Sequence, residues 1–191
     1  MRINELPHVP GPDSIHVWLF DLDSHQIQKS ANENSLSEDE INRGKEFKFE
    51  SDRFLFSVSR SLLRRLLSCY TSIPPGEIAY HTNPNGKLTL QSGKIEFNHS
   101  KSQSKLAVAI TAASQVGVDL EVIRPLKELP QLLDFCLTEE ERVIYSTLPA
   151  ESQLEAFYHA WTQKEAYLKA KGEGITAGMK SILVSVDTHQ A

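Results

Sequence analysis

The chain has 191 residues, 40% of them hydrophobic, a formal net charge of −5 and two cysteines. That is enough apolar material for a packed core in one large domain or two small ones. The acidic balance excludes a general nucleic-acid binder, which needs clustered cations to displace counterions, and Cys69 and Cys136 supply neither a disulfide framework nor a zinc-site spacing.

The opening residues, MRINELPHVPGPDSIHVWLF, place prolines and acids where a signal peptide needs an unbroken apolar core. No stretch approaches the ~20 apolar residues of a membrane span, so a soluble, cytoplasmic protein that engages no membrane is expected. Ile15–Leu22 alternates as a first strand. Ser37, with Glu40 three residues on, has the form of a capping box and predicts a helix from about 38 to 49. A longer helix from about 52 to 70 stops before Pro74 and Pro75. Its apolar stripe is Phe56, Leu62, Leu63, Leu66 and Leu67. Its cationic edge, Arg60, Arg64 and Arg65, reads either as a solvated face or as steering for an acidic partner. Short strands are expected near 78–81, 87–90 and 94–97, with the turn sequence Asn83-Pro84-Asn85-Gly86 among them, then a buried strand over 105–112. Further on come a helix near 127–135, a helix capped by Thr138 with Glu141 as its box partner, a helix over 151–171 ending at Gly172, and a closing strand Ser181–Asp187. Strands and helices mixed without βαβ regularity point to the α+β class.

Two segments carry chemistry. In Val116–Val122, Val118, Leu120 and Val122 point one way along a strand while Asp119 and Glu121 point the other. Two carboxylates on one face repel unless a cation is shared between them, and a hard divalent ion is a common solution; the other reading is a solvated strand end entering the turn at Pro125. Gly117 would let a backbone or ligand approach closely there. The second segment, FYHAWTQKEAYLKAKGEG, repeats Trp161, Glu165 and Lys169 every four residues, which stacks ring, carboxylate and ammonium on one helical stripe. Taken alone, that is equally the pattern of an exposed Glu–Lys pair on an amphipathic helix.

Together and in this order, VGVDLE (Val116–Glu121) and WTQKEAYLKAKGEG (Trp161–Gly174) resemble the two signature motifs of the 4′-phosphopantetheinyl transferases, in the long, Sfp-like branch. DRFLFSVSRSLLRRLL (Asp52–Leu67), NGKLTL (Asn85–Leu90) and FNHSKS (Phe97–Ser102) extend the similarity over most of the chain. The resemblance implies two similar α+β halves in a pseudo-twofold arrangement across a cofactor cleft. Residues 1–106 would form the half that contacts the coenzyme A phosphates and nucleotide, and 107–191 the half that carries the metal and signature-helix motifs. It also implies a monomer, the halves forming a pseudo-dimer. The implied reaction moves the phosphopantetheine arm of coenzyme A to a serine of an apo carrier protein, releasing adenosine 3′,5′-bisphosphate. By the same resemblance, Mg2+ is held by Asp119, Glu121 and Glu165. Lys169 touches the transferred phosphate, and Glu165 has a second possible role as acceptor of the serine proton.

Coenzyme A would further be held by Arg53, Lys87, Ser100 and Lys101, with Lys169. Lys87, in its Gly-Lys context after a turn, also reads as a plain hairpin lysine. The family pattern Phe-Asn-x-Ser-His-Ser puts Lys101 where a histidine is usual, with His99 two places earlier, and Leu55 stands where relatives often carry arginine. Lysine can bind phosphate but lacks the directional imidazole hydrogen bond. Two other classes share these residue types: a Mg2+-dependent phosphohydrolase, and a non-catalytic coenzyme A or carrier-binding homologue.

Overall fold

The computed structural model describes residues 9–31, 33–112 and 114–187. It has the α+β architecture that the segment pattern implies. Strand β1 (His16–Asp21) is followed by a short helix α1 (His25–Ser30) that the sequence reading did not anticipate. Helix α2 (Glu38–Lys45) begins on the expected box: the Ser37 hydroxyl accepts from the Glu40 amide, and the Glu40 carboxylate accepts from the Ser37 amide. Helix α3 (Glu50–Thr71) runs 22 residues and ends on Ser72 in the left-handed conformation, two residues before the proline pair. Strands β2 (Tyr80–Thr82) and β3 (Leu88–Leu90) form a hairpin across the Asn83–Lys87 turn, and β4 (Glu96–Ser102) and β5 (Lys105–Thr111) form a second hairpin.

Strand β5 lies centrally in a three-stranded antiparallel sheet of order β1-β5-β4. One face of this sheet presents Trp18, Phe20, Phe97, Leu106, Val108 and Ile110 to the apolar stripe of α3, where Leu62, Leu63, Leu66 and Leu67 are all but fully buried. A second core forms among helices α4 (Leu129–Cys136), α5 (Glu139–Thr147) and α6 (Ala150–Lys171), and includes Leu137, Phe157, Ala160, Leu168 and Val186. A division at residue 106 would cut through β5, whose residues from Leu106 to Ile110 belong to the first sheet. The two cores are instead separated by the stretch that follows Thr111.

Two expected strands are not ladder strands. Of Ser181–Asp187, Ser181 closes a 3-10 turn (Met179–Ser181) and the residues after it form no strand among the described residues; Val184 instead donates its amide to Glu141 Oε1 at 2.9 Å. Val118–Val122 likewise forms no strand, and side chains of β4 rather than backbone groups bind it. Arg64, assigned to the cationic edge of α3, is 2% exposed. Its guanidinium donates to Glu40 Oε2 at 2.5 Å and to the carbonyls of Pro75 and Ile78, so it ties α3 to α2 and to the following loop.

Candidate active site

The site begins with the two-faced pattern of β4. Phe97 points into the first core, and the alternate residues Asn98, Ser100 and Ser102 project from the opposite face. Each of those three polar side chains holds the segment after Gly117. Asn98 Oδ1 accepts from the Val118 amide at 3.0 Å, Ser100 donates to Asp119 Oδ1 at 2.7 Å, and Ser102 donates to Glu121 Oε2 at 2.7 Å while accepting from the Val122 amide at 3.2 Å. A row of side chains does the work of a backbone ladder, which is why the segment crosses the sheet face instead of adding a strand to its edge.

From the other side, α6 fixes the same segment. A Cβ on Gly117 would lie 1.9 Å from the Ala166 carbonyl oxygen and 2.5 Å from the Ala170 amide nitrogen, the two ends of one helical hydrogen bond. Only a glycine facing small residues permits this approach. Asp119, two residues on, is thereby brought to Lys169, one helical turn beyond Glu165.

The charges close the arrangement. Lys169 Nζ donates to Asp119 Oδ1 at 2.6 Å and to Ser100 Oγ at 3.1 Å, and lies 3.4 Å from Glu165 Oε1. The Asp119 side chain is 2% exposed, Glu165 20% and Lys169 26%, so a buried carboxylate sits at the floor of a partly open cluster. Asp119 Oδ2 is buried with no hydrogen-bond partner. Burial raises the proton affinity of Glu165 and the Asp119 charge adds to that; Lys169 and a hydrogen bond with Trp161 oppose it. Trp161, half-buried against Phe135 and Phe157, therefore joins the second core to the site.

The other expected residues lie elsewhere. Glu121 is exposed and engaged by Ser102, and no group of three or more His, Cys, Asp or Glu side chains among the described residues could hold one metal ion. Lys87 Nζ donates to the carbonyls of Ala170 at 2.7 Å and Val116 at 3.4 Å. Asn83 and Asn85 both donate to the Gly172 carbonyl, so the β2–β3 turn binds the C-terminal end of α6 and the Lys87 ammonium is spent on backbone oxygens. Lys101 is exposed and turns to the carbonyl of Gln103, and Arg53 is exposed on the first turn of α3 beside Gly44. A cleft of about 460 Å³ lies between α2, α3 and the β2–β3 hairpin, lined by Arg43, Phe56, Arg60, Arg64, Tyr80 and Leu88.

The sequence reading passed over Asn98 and Ser102, although their spacing with Ser100 marks one face of a strand. It also passed over Lys164. That side chain is fully buried and donates to Glu141 Oε2 at 2.5 Å and to the carbonyls of Cys136 and Met179. Lysine beside Glu165 gave no signal in a helix rich in charge, whereas Glu141 was visible only as a cap.

Residues 115–191, which include both the Gly117 segment and α6, match the 4′-phosphopantetheinyl transferase superfamily. The 4′-phosphopantetheinyl transferase HetI of Nostoc sp. is 35% identical over 168 residues, covering 85% of this chain and 70% of its own length. The chain belongs to the 4′-phosphopantetheinyl transferase family. Other members similar to it are psf-1 of Bacillus pumilus, 34% identical over 138 residues, and AcpT of Salmonella typhimurium, 34% identical over 132 residues. Those matches cover 69% of this chain in each case, and 58% and 62% of the respective relatives.

Phosphopantetheinyl transfer handles a pyrophosphate, and the donor set here suits a hard cation. Asp119 carries a buried oxygen without a partner, and Glu165 lies close enough to feel its charge. Magnesium retains waters and takes few protein carboxylates, so two such groups fit it. Glu121 is the expected ligand that the structure does not bring to the pair.

Proposed function

We propose that this chain transfers the 4′-phosphopantetheine arm of coenzyme A to a serine of an apo acyl, peptidyl or aryl carrier protein, as a member of the long, Sfp-like branch. Asp119 and Glu165 would hold Mg2+, which when bound neutralises pyrophosphate charge and polarises the phosphorus under attack. The observation that supports this best is the meeting of Ser100, Asp119, Glu165 and Lys169, drawn from three separate segments, within hydrogen-bonding or ion-pairing distance around one ammonium group.

The residues then divide the labour. Asp119 is locked by Ser100 and by the Gly117 contact, so its carboxylate is preorganised. Lys169 places a positive charge beside the phosphoryl group as the P–O bond to adenosine 3′,5′-bisphosphate breaks and the bond to the serine oxygen forms. Glu165, its proton affinity raised by burial, accepts the serine proton. Asn83, Asn85 and Lys87 act on the chemistry from a distance by fixing the end of α6. The division into two halves falls, on this reading, in the stretch that follows Thr111.

The test is mass spectrometry of a panel of apo carrier proteins incubated with the protein, coenzyme A and Mg2+. A mass gain of one phosphopantetheine on a carrier serine, lost with Asp119→Asn, is expected. Phosphate release from coenzyme A without carrier would favour a hydrolase and overturn the proposal.

A further inference from the structure

We propose that Lys169 is the resident cation of the site. It surrenders its place on Asp119 to a divalent ion only when a phosphate-bearing substrate gives its ammonium another partner. This rests on the transferase reading above and adds to it a coupling between metal and substrate.

The argument starts from occupancy. The Lys169 ammonium sits at 2.6 Å from Asp119 Oδ1 and 3.4 Å from Glu165 Oε1, on the same two carboxylates whose donor set suits a hard cation. An ammonium at hydrogen-bond distance and a dication at coordination distance from one carboxylate oxygen would repel strongly in a partly buried site. The two cations therefore exclude each other at Asp119. With Lys169 in place the two carboxylates keep only one net negative charge, and Asp119 Oδ1 is already bound by Lys169 and Ser100, so the pull on a dication is weak in the free protein.

The route out is also present. Lys169 is 26% exposed on a helix whose end is fastened by the Asn83–Lys87 turn, so its four-carbon stem can swing toward solvent while the backbone stays in place. A phosphate oxygen arriving from that side is a better partner than water and removes the cost of leaving Asp119. Asp119, held at Oδ1 by Ser100 and unpartnered at Oδ2, is then clear of the competing ammonium. By linkage, whatever phosphate compound recruits Lys169 raises metal affinity, and the metal raises affinity for that compound by the same factor. Metal alone does not assemble the site, and the reactive arrangement forms only with coenzyme A in place.

The experiment is Mn2+ binding to the full chain, followed by calorimetry and by the Mn2+ electron paramagnetic resonance signal, with and without saturating coenzyme A. Wild type is expected to bind Mn2+ weakly alone and at least about tenfold more tightly with coenzyme A, within the usual range of such couplings. Lys169→Met is expected to bind Mn2+ alone more tightly than wild type by a similar factor, and to gain less from coenzyme A than wild type does, the remaining gain being the pyrophosphate's own attraction for the ion. Lys169→Arg, which keeps the charge, should remain weak in the absence of coenzyme A. Mn2+ affinity in folded Lys169→Met no higher than in wild type would overturn the inference while leaving the transferase reading intact. Absence of Mn2+ binding in every combination, unchanged by Asp119→Asn, would overturn both.

Discussion

Gly117→Ala tests the contact that sets the whole site. The added methyl would start 1.9 Å from the Ala166 carbonyl oxygen, and real Cβ atoms are essentially never found within 3.0 Å of such an atom, so the segment must withdraw from α6 by about 1.1 Å. Neither side can give by side-chain rotation, because the atoms met are helix backbone. Overpacking of this kind costs about 1–3 kcal/mol, and a shift of that size also breaks the 2.6 Å bond between Lys169 and Asp119, worth about 1.5–3 kcal/mol when charge-assisted. We expect a loss of about 3 kcal/mol in urea unfolding. Turnover should fall by roughly a hundredfold, the usual consequence of an ångström-scale misplacement. Unfolding free energy within ~0.5 kcal/mol of wild type, with transfer intact, would refute the account of Gly117 as the wedge between the strand-like segment and the helix.

Three further outcomes follow from other residues. Lys164→Met leaves the Glu141 carboxylate buried without its cation and should cost about 3–5 kcal/mol in denaturant unfolding, with Lys164→Met/Glu141→Gln recovering part of the loss. Asn83→Ala removes one donor from the Gly172 carbonyl and the oxygen that accepts from the Asn85 and Lys87 amides, and should lower the thermal midpoint by an amount equivalent to about 1–3 kcal/mol. His99, packed beside Phe97 and near the charges of Arg60 and Lys169, has its proton affinity lowered by burial to about 3, against 6.5 in an exposed histidine. Between those values the unfolded chain binds the extra proton, so stability falls as pH drops below 6.5. The slope is about 1 kcal/mol per pH unit after discounting for partial exposure. His99→Gln should flatten that limb of an acid-unfolding series, and an unchanged slope would show that the imidazole is solvated.

Much of the frame was legible because it is written in local chemistry. The capping boxes at Ser37 and Thr138, the proline stop after α3 and the glycine end of α6 each formed where a local hydrogen-bond argument placed them. The helical stripe Trp161, Glu165 and Lys169 needs only the 3.6-residue period. What stayed hidden depends on partners distant in the chain. Lys87 looked like a free hairpin cation because nothing near it in sequence reveals the carbonyl of Ala170, 83 residues away. Arg64 looked exposed because Glu40 and the carbonyls of Pro75 and Ile78 approach it from other elements. Asp119 and Glu121 looked equivalent by alternation, yet the segment carries one to a buried position under α6 and the other to Ser102 and solvent. Ser181–Asp187 has a strand's composition, but composition does not supply a neighbouring strand.

Strand β4 serves two masters at once. Its odd-numbered Phe97 anchors the hydrophobic interior, and its even-numbered Asn98, Ser100 and Ser102 grip the acidic segment. Parity alone separates these duties, so inserting or deleting a single amino acid upstream of Asn98 within the strand would swap them, sending amides and hydroxyls inward and a phenyl ring toward the carboxylates. Attempts to retune this protein by lengthening the β4–β5 hairpin should therefore add residues at the turn around Gln103, or in pairs, so that the alternation survives.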